Sequence, residues 1–171
     1  ALVTFLKVTT SRYLNMQGDT STFLAIALLG LLLVAAIGDL RTREIPNWLN
    51  GAIALLAIPY WFSIGMPVWP DVLIQLGVAL AVFLLFALLF HFGAMGGGDV
   101  KMLAALALWL PLGALVNLLL IMSIAGGVLT LAMLVRHRLK KSQAQLEIPY
   151  GVAIAFGGCW VIAEPFLNQF A

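Results

Sequence analysis

Long uncharged stretches, separated by short groups of charged residues, form the hydrophobic pattern of this chain. The uncharged stretches cover residues 20–38, 45–70, 72–98, 102–135 and 148–163. A helix needs about 20 mostly apolar residues to cross the hydrocarbon core of a bilayer. The pattern therefore predicts six helices, over residues 21–37, 46–64, 71–92, 100–110, 114–135 and 150–166.

Two breaks divide uncharged stretches that are too long for one helix. Gly65-Met66-Pro67 ends the second helix, and Pro111 with Gly113 separates the fourth from the fifth. The fourth segment covers only ~16 Å at 1.5 Å per residue, about half of the ~30 Å hydrocarbon core. Either this helix starts deep inside the protein, or the break at Pro111 is only a kink.

Composition places the helices in a membrane. Of the 171 residues, 63% are hydrophobic and 9% are charged, and the mean hydropathy is +1.09. A soluble domain has about 25% charged residues, so this chain has too few to cover a water-facing surface. We expect an all-α, polytopic membrane helical bundle with about six transmembrane helices. Residues 1–20 would form an interfacial or loose N-terminal segment, and residues 21–171 a single transmembrane domain.

The basic residues predict the orientation of the bundle. If the chain crosses the membrane six times, seven of the nine basic residues fall on one side: Arg41, Arg43, Lys101, Arg136, Arg138, Lys140 and Lys141. Cytoplasmic loops carry the excess of lysine and arginine, so this side is expected to be cytoplasmic. Lys7 and Arg12 are the exceptions. The run at 136–141 suits contact with anionic lipid. The net charge of +2 gives no indication of nucleic-acid binding, and the oligomeric state stays undetermined.

Two aspartates at predicted helix ends are the candidate chemical groups. Asp39 ends the first helix and Asp99 begins the fourth, 60 residues later, on the same predicted side. A charge in or near the bilayer core costs roughly 2.5–3.5 kcal/mol or more, so an ionisable group there indicates function. Two carboxylates within a few ångströms of each other share a proton. One then deprotonates a water while the other protonates the leaving amine, as in an aspartic protease.

Each aspartate also has an ordinary structural interpretation. Asp39 could pair with Arg41 or Arg43 in a loop, and Asp99 could cap the next helix and pair with Lys101. A functional alternative from another class is a small cation- or proton-translocating membrane protein that uses the same two acids. That class favours acids near the midplane and inverted repeats. Here both acids are at helix ends beside basic loops, and the sequence has no evident repeat.

Three segments together resemble the type IV prepilin peptidase family, which are membrane aspartic proteases of the GxGD kind. They are Asp39 with Ile45-Pro46-Asn47, then Gly96-Gly97-Gly98-Asp99-Val100-Lys101, then Pro149-Tyr150-Gly151-Val152-Ala153-Ile154-Ala155. The resemblance covers roughly residues 31–158. It implies that Asp39 and Asp99 are the catalytic pair, with no metal and no cofactor. It also implies a prepilin or pseudopilin substrate, with a basic leader and a hydrophobic helix, that is cut at the cytoplasmic face of the prokaryotic inner membrane.

The same motifs supply residues expected to shape the site or bind substrate. We expect Gly96, Gly97 and Gly98 to form a flexible loop that lets Asp99 approach Asp39 from an open resting state. Lys101 either orients Asp99 or anchors the chain on the positive side of the membrane. The other expected site-shaping residues set the turn before the second helix or open the last helix: Pro46, Asn47, Pro149, Tyr150 and Gly151.

The cysteine content indicates which members of the family the chain resembles. The larger, bifunctional members of the family carry an extra N-terminal region with paired cysteines, linked to methylation of the new N-terminus. This sequence has one cysteine, Cys159, which also excludes an internal disulfide and a multi-cysteine zinc site. The expectation is a compact form like the peptidases of tight-adherence (Tad, or Flp) pilus systems, without N-methyltransferase activity. Archaeal preflagellin peptidases are the alternative with the same chemistry.

Overall fold

The computed structural model describes residues 19–140 and 149–167, and within these ranges the chain is helical, with no β-strand. The helices are α1 (Asp19–Thr42), α2 (Asn47–Ser63), α3 (Leu73–His91), α4 (Gly97–Ala107), α5 (Leu112–Lys140) and α6 (Tyr150–Leu167). A kinked turn over Val68–Val72, in which Trp69 has an extended backbone, leads into α3. The six predicted helices are confirmed. Most of the predicted N-terminal segment, and the loop at 141–148, lie outside the described residues.

Within residues 19–140 and 149–167, three helices are long and apolar enough to cross a membrane, judged by length and composition. They cover Thr20–Thr42, Val68–His91 and Leu112–Leu139, and a shorter apolar helix covers Tyr150–Glu164. Large apolar side chains are exposed on the outside of the bundle, where lipid can contact them. This arrangement confirms a helical membrane bundle. That α2 and α4 also cross the membrane stays a prediction.

The short helix α4 lies inside the bundle. It packs against α2, α3 and α6, and most of its side chains between Val100 and Ala107 are buried. α1 and α5 complete the enclosure through their contacts with α6. The helix begins at Gly97, three residues before the predicted start, and ends at Ala107. The break before Pro111 is therefore a true helix end, and α4 is a buried helix of about 16 Å.

The carboxyl end of α4 is closed by hydrogen bonds from two neighbouring helices. The last carbonyls of a helix have no intrahelical donor. Gln75 Nε2 in α3 donates to the carbonyls of Ala107 and Leu110, and Trp61 Nε1 in α2 donates to the Leu108 carbonyl at 2.9 Å. In return, Trp109 Nε1 donates to the carbonyl of Ile53 at 2.8 Å. These bonds fix the end of α4 that lies away from both aspartates.

Candidate active site

Asp39 is held in the last turn of α1 by the first turn of α6. Its side chain is only 5% exposed, and Oδ2 accepts a hydrogen bond from the backbone N–H of Val152 at 3.1 Å. The chain leaves α1 through Arg43, which has a left-handed φ of 59°. Thr42 Oγ1 donates to the Gly38 carbonyl at 2.9 Å and caps this end of the helix. Asp39 is therefore helical, rather than a loop aspartate.

The absence of a side chain at Gly151 makes room for the Asp39 carboxyl group. A Cβ atom at Gly151 would lie 2.8 Å from Asp39 Oδ2 and 2.7 Å from Ile45 Cδ1. Real Cβ atoms do not approach heavy atoms so closely, so a larger residue would have to displace the carboxyl group. Gly151 thus allows α6 to present the Val152 N–H to Asp39.

Asp99 lies in the first turn of α4 and is 8% exposed. Gly96 precedes the helix in an extended conformation, with φ −73° and ψ 145°. A Cβ atom at Gly96 would lie 2.9 Å from Asp99 Oδ2. The positive end of a helix dipole favours a negative charge in the first turn. The sequence therefore places Asp99 where both the backbone and the adjacent glycine accommodate a carboxylate.

The glycine triplet differs from the flexible loop that the sequence predicted. Gly97 and Gly98 are helical, and only Gly96 is extended. A Cβ atom at Gly98 would lie 3.1 Å from Ile45 Cβ, so the absence of a side chain lets α4 approach the link between α1 and α2. The prediction of a loop is wrong for Gly97 and Gly98, because close packing explains these glycines. A movement of Asp99 toward Asp39 stays a prediction.

Asp39 and Asp99 line one cavity of about 500 Å³ at the end of the bundle. The structure therefore brings together two acids that are far apart in the sequence. A pocket of 300–1,000 Å³ accommodates a ligand of moderate size. The lining also includes the link between α1 and α2 and the glycines before Asp99, namely Thr42, Arg43, Glu44, Ile45, Pro46, Asn47, Gly96, Gly97 and Gly98.

Two polar contacts tie the amino end of α4 to α2. Lys101 Nζ donates to Asn47 Oδ1 at 2.7 Å, and Asn50 Nδ2 donates to the Gly98 carbonyl at 3.1 Å. One of the two roles that the sequence predicted for Lys101 is to act on Asp99. The hydrogen bond that Lys101 donates instead joins it to Asn47. Asn50 was not among the site residues predicted from the sequence. The available signal was its position three residues after Asn47, on the same face of an apolar helix.

The third motif, at residues 149–155, packs outside the cavity that holds the two acids. Pro149 is buried, and the Tyr150 ring packs on α5, 3.5 Å from where a Cβ of Gly126 would stand. Pro149, Tyr150 and Gly151 are absent from the lining of the cavity that holds the two acids. Gly151 makes room for Asp39, and the shaping of a substrate groove by Pro149, Tyr150 and Gly151 stays a prediction.

The described residues contain no group of three or more histidine, cysteine, aspartate and glutamate side chains that could hold a metal ion. The cavity instead offers the two buried carboxyl groups, with Arg43 and Glu44 at its edge. A carboxyl pair can take a proton from a water molecule and return one to a leaving group. The arrangement is therefore suited to general acid–base chemistry on a substrate that enters the cavity.

Comparison with known proteins identifies related sequences. The profile described as "Type IV leader peptidase family" matches residues 26–131, which include both aspartates and end before the third motif. The prepilin leader peptidase/N-methyltransferase of Pectobacterium carotovorum subsp. carotovorum is 31% identical over 138 residues. The match covers 78% of this chain and 48% of that protein, so this chain spans about half the length of the relative. No solved structure is significantly similar.

Proposed function

This chain belongs to the type IV leader peptidase family, and from that premise we propose that it is an aspartic endopeptidase that removes the leader peptide from prepilins. Asp39 and Asp99 are the proposed catalytic pair. The observation that carries the proposal is that both buried carboxyl groups line one cavity. The named relative is described as a prepilin leader peptidase, which agrees with this substrate.

The proposed reaction needs one carboxylate and one carboxylic acid. The carboxylate takes a proton from a water molecule, which attacks the carbonyl carbon of the scissile peptide bond. The protonated partner donates a hydrogen bond to the carbonyl oxygen and, when the tetrahedral intermediate collapses, a proton goes to the leaving amine. The Val152 N–H orients Asp39, and Asp99 lies in the first turn of α4, where Gly96 leaves space for its carboxyl group.

We further propose that the cavity faces the cytoplasm. Support comes from the distribution of charge, since Arg41 and Arg43 lie at the cavity end of the bundle and basic loops stay in the cytoplasm. Substituted cysteines would test this in a Cys159→Ser background. An impermeant thiol reagent added to intact cells should label Val68→Cys, at the other end of the bundle. It should label Glu44→Cys only after the membrane is opened, and the reverse pattern would contradict the orientation.

We also propose that the peptidase is of the compact Tad/Flp type. The 171 residues contain one cysteine rather than the paired cysteines of the bifunctional members, and we propose that these residues by themselves do not methylate the product. Mass spectrometry of the pilin after cleavage would test this. The new N-terminus should carry no methyl group, and a methylated product formed by the purified enzyme would refute the statement.

Co-expression with a prepilin tests the proposed function. The wild type should remove the leader, and Asp39→Asn and Asp99→Asn should leave the full-length prepilin on the gel. Asp71→Asn is the control, because Asp71 is another acid at a helix start, half-buried rather than buried, and lies away from the cavity. Normal cleavage by either cavity variant, at wild-type protein level, would refute the assignment.

A further inference from the structure

A second cavity, of about 520 Å³, opens between α2 and α3 with α4 as its floor. It forms because α2 and α3 each pack on α4 and make few contacts with each other. Five of its eleven lining residues are small, with Gly51 and Ala54 from α2, Ala79 from α3, and Ala104 and Ala105 from α4. We call this cavity the small-residue groove. Small residues let another helix approach closely inside a membrane.

The small-residue groove adjoins the cavity that holds the two acids. Asn47 lines both, and its hydrogen bond with Lys101 lies where they meet. From Lys101 the groove follows α4 to Leu108, about 10 Å at 1.5 Å per residue. Its length thus matches about two turns of a bound helix, beginning at the site of cleavage.

Asn50 gives this groove a specific polar group. It lines the groove, its side chain is 5% exposed, and its amide orientation is fixed because Nδ2 donates to the Gly98 carbonyl. Oδ1 is consequently the free acceptor, and it has no hydrogen-bond partner. A buried acceptor without a donor costs free energy, so Oδ1 is available to accept a hydrogen bond from a donor that enters the groove.

We propose that the small-residue groove seats the first two turns of the apolar substrate helix, and that Asn50 Oδ1 accepts a hydrogen bond from its backbone. The inference rests on the proposed function. The first four N–H groups of any helix lack an intrahelical acceptor, and within a bilayer they find no water. A substrate helix that begins just after the cut brings such unpaired donors to the end of the groove where Asn50 lies. A lipid chain would bring none.

Photo-crosslinking tests which molecule occupies the groove without requiring activity. A photoreactive amino acid is placed at Leu80, which lines the groove, or at Leu85, which lies on the same helix outside it. Both leucines are 58% exposed, so the two positions are matched in accessibility. In an Asp99→Asn background, which traps uncut prepilin, Leu80 should crosslink to the prepilin helix at least about ten times more than Leu85. Equal adducts, lipid adducts alone, or adducts with a second copy of the chain would overturn the proposal.

A steric test uses two helix glycines. An added Cβ atom meets nothing within 4 Å at Gly51, in the groove, or at Gly127, on α5. Gly51→Leu should therefore fold but raise KM for prepilin at least about tenfold with little change in kcat, whereas Gly127→Leu should change neither. An unchanged KM in Gly51→Leu would contradict the groove.

A cycle of substitutions tests the hydrogen bond of Asn50 separately from its structural contact with Gly98. Replacing one backbone amide in the first turn of a semisynthetic prepilin by an ester removes its N–H. The ester at the contacting position should raise KM about tenfold in the wild type, and should add nothing in Asn50→Leu. Equal penalties in both enzymes at every first-turn position would refute the contact.

The controls separate this inference from the proposed function. If the wild type does not cut prepilin, the proposed function fails. If the wild type cuts, Asp39→Asn does not, and the Leu80 and Gly51 variants behave like their controls, only the groove assignment fails.

Discussion

At its carboxyl end α4 is held by side chains of α2 and α3 that donate to its carbonyls, whereas its amino end packs closely through glycines and makes two polar contacts with α2. Trp61 and Gln75 donate to carbonyls at the closed end, and the rings of Tyr60 and Trp109 stack there with centroids 4.8 Å apart. The other end has the two acids and an open cavity. We call the carboxyl end the closed end and, after the proposed chemistry, the amino end the reactive end.

This difference shows how a carboxylate can be positioned in a largely apolar protein. The hydrogen bonds at the closed end satisfy carbonyls that would otherwise be unpaired. With that end fixed, the small glycines at the other end allow close contact with Ile45 and leave space for Asp99. Substitutions at the two ends should therefore have different consequences, with stability affected at one and catalysis at the other.

The largest effect in this comparison is expected for Gly151→Ala, behind the reactive end. The added Cβ would lie 2.8 Å from Asp39 Oδ2, so the carboxyl group must leave its bond with Val152 N–H. We expect kcat to fall roughly 10²-fold, the lower range for loss of a positioned acid or base. Gly127→Ala, where the new Cβ meets nothing, is the control. A Gly151→Ala enzyme with wild-type kcat would show that the position of Asp39 is not critical.

Gln75→Leu should separate stability from catalysis at the closed end. The substitution keeps the approximate size of the side chain and removes the donor to the carbonyls of Ala107 and Leu110. We expect the free energy of unfolding to fall by about 1–3 kcal/mol, the cost of unpaired buried groups. Thermal unfolding in detergent measures the loss. At a temperature where the variant is folded, kcat should equal that of the wild type. A selective loss of kcat would contradict the division between the two ends.

The smallest effect is expected for Lys101→Met at the reactive end. Lys101 is exposed, and its bond with Asn47 is expected to contribute less than about 1 kcal/mol. Activity should change at most a few-fold, and the pH dependence of kcat should not move. A shifted pH profile, restored by Lys101→Arg, would instead support the sequence-based expectation that Lys101 acts on Asp99.

The sequence was sufficient to predict the helices because uncharged stretches and Pro or Gly breaks directly limit their length. The predicted ends were less accurate. α1 continues to Thr42 because its hydroxyl bonds the Gly38 carbonyl, and α5 continues to Lys140, since a helix tolerates basic residues where it leaves the membrane. The motifs also indicated the two acids, although only tertiary packing could bring them to one cavity.

Contacts between residues that are distant in the sequence could not be predicted from it. Gln75 is one polar residue in an apolar helix, and nothing in the pattern indicates that it bonds carbonyls more than 30 residues later. Asn50 is similar. The glycine triplet was misinterpreted as a loop because glycine serves both flexibility and close packing, and only the nearby Ile45 distinguishes the two uses.

The central claim is that Asp39 and Asp99 act as one catalytic pair, and the most direct measurement is the single-turnover cleavage rate of purified prepilin. It compares the wild type, Asp39→Asn, Asp99→Asn and the double variant. Because groups that act as a unit are not additive, we predict that each single variant loses roughly 10²–10⁴-fold and that the double variant loses no more. A single variant within about tenfold of the wild-type rate, or a double variant whose loss is the product of the two single losses, would contradict the claim.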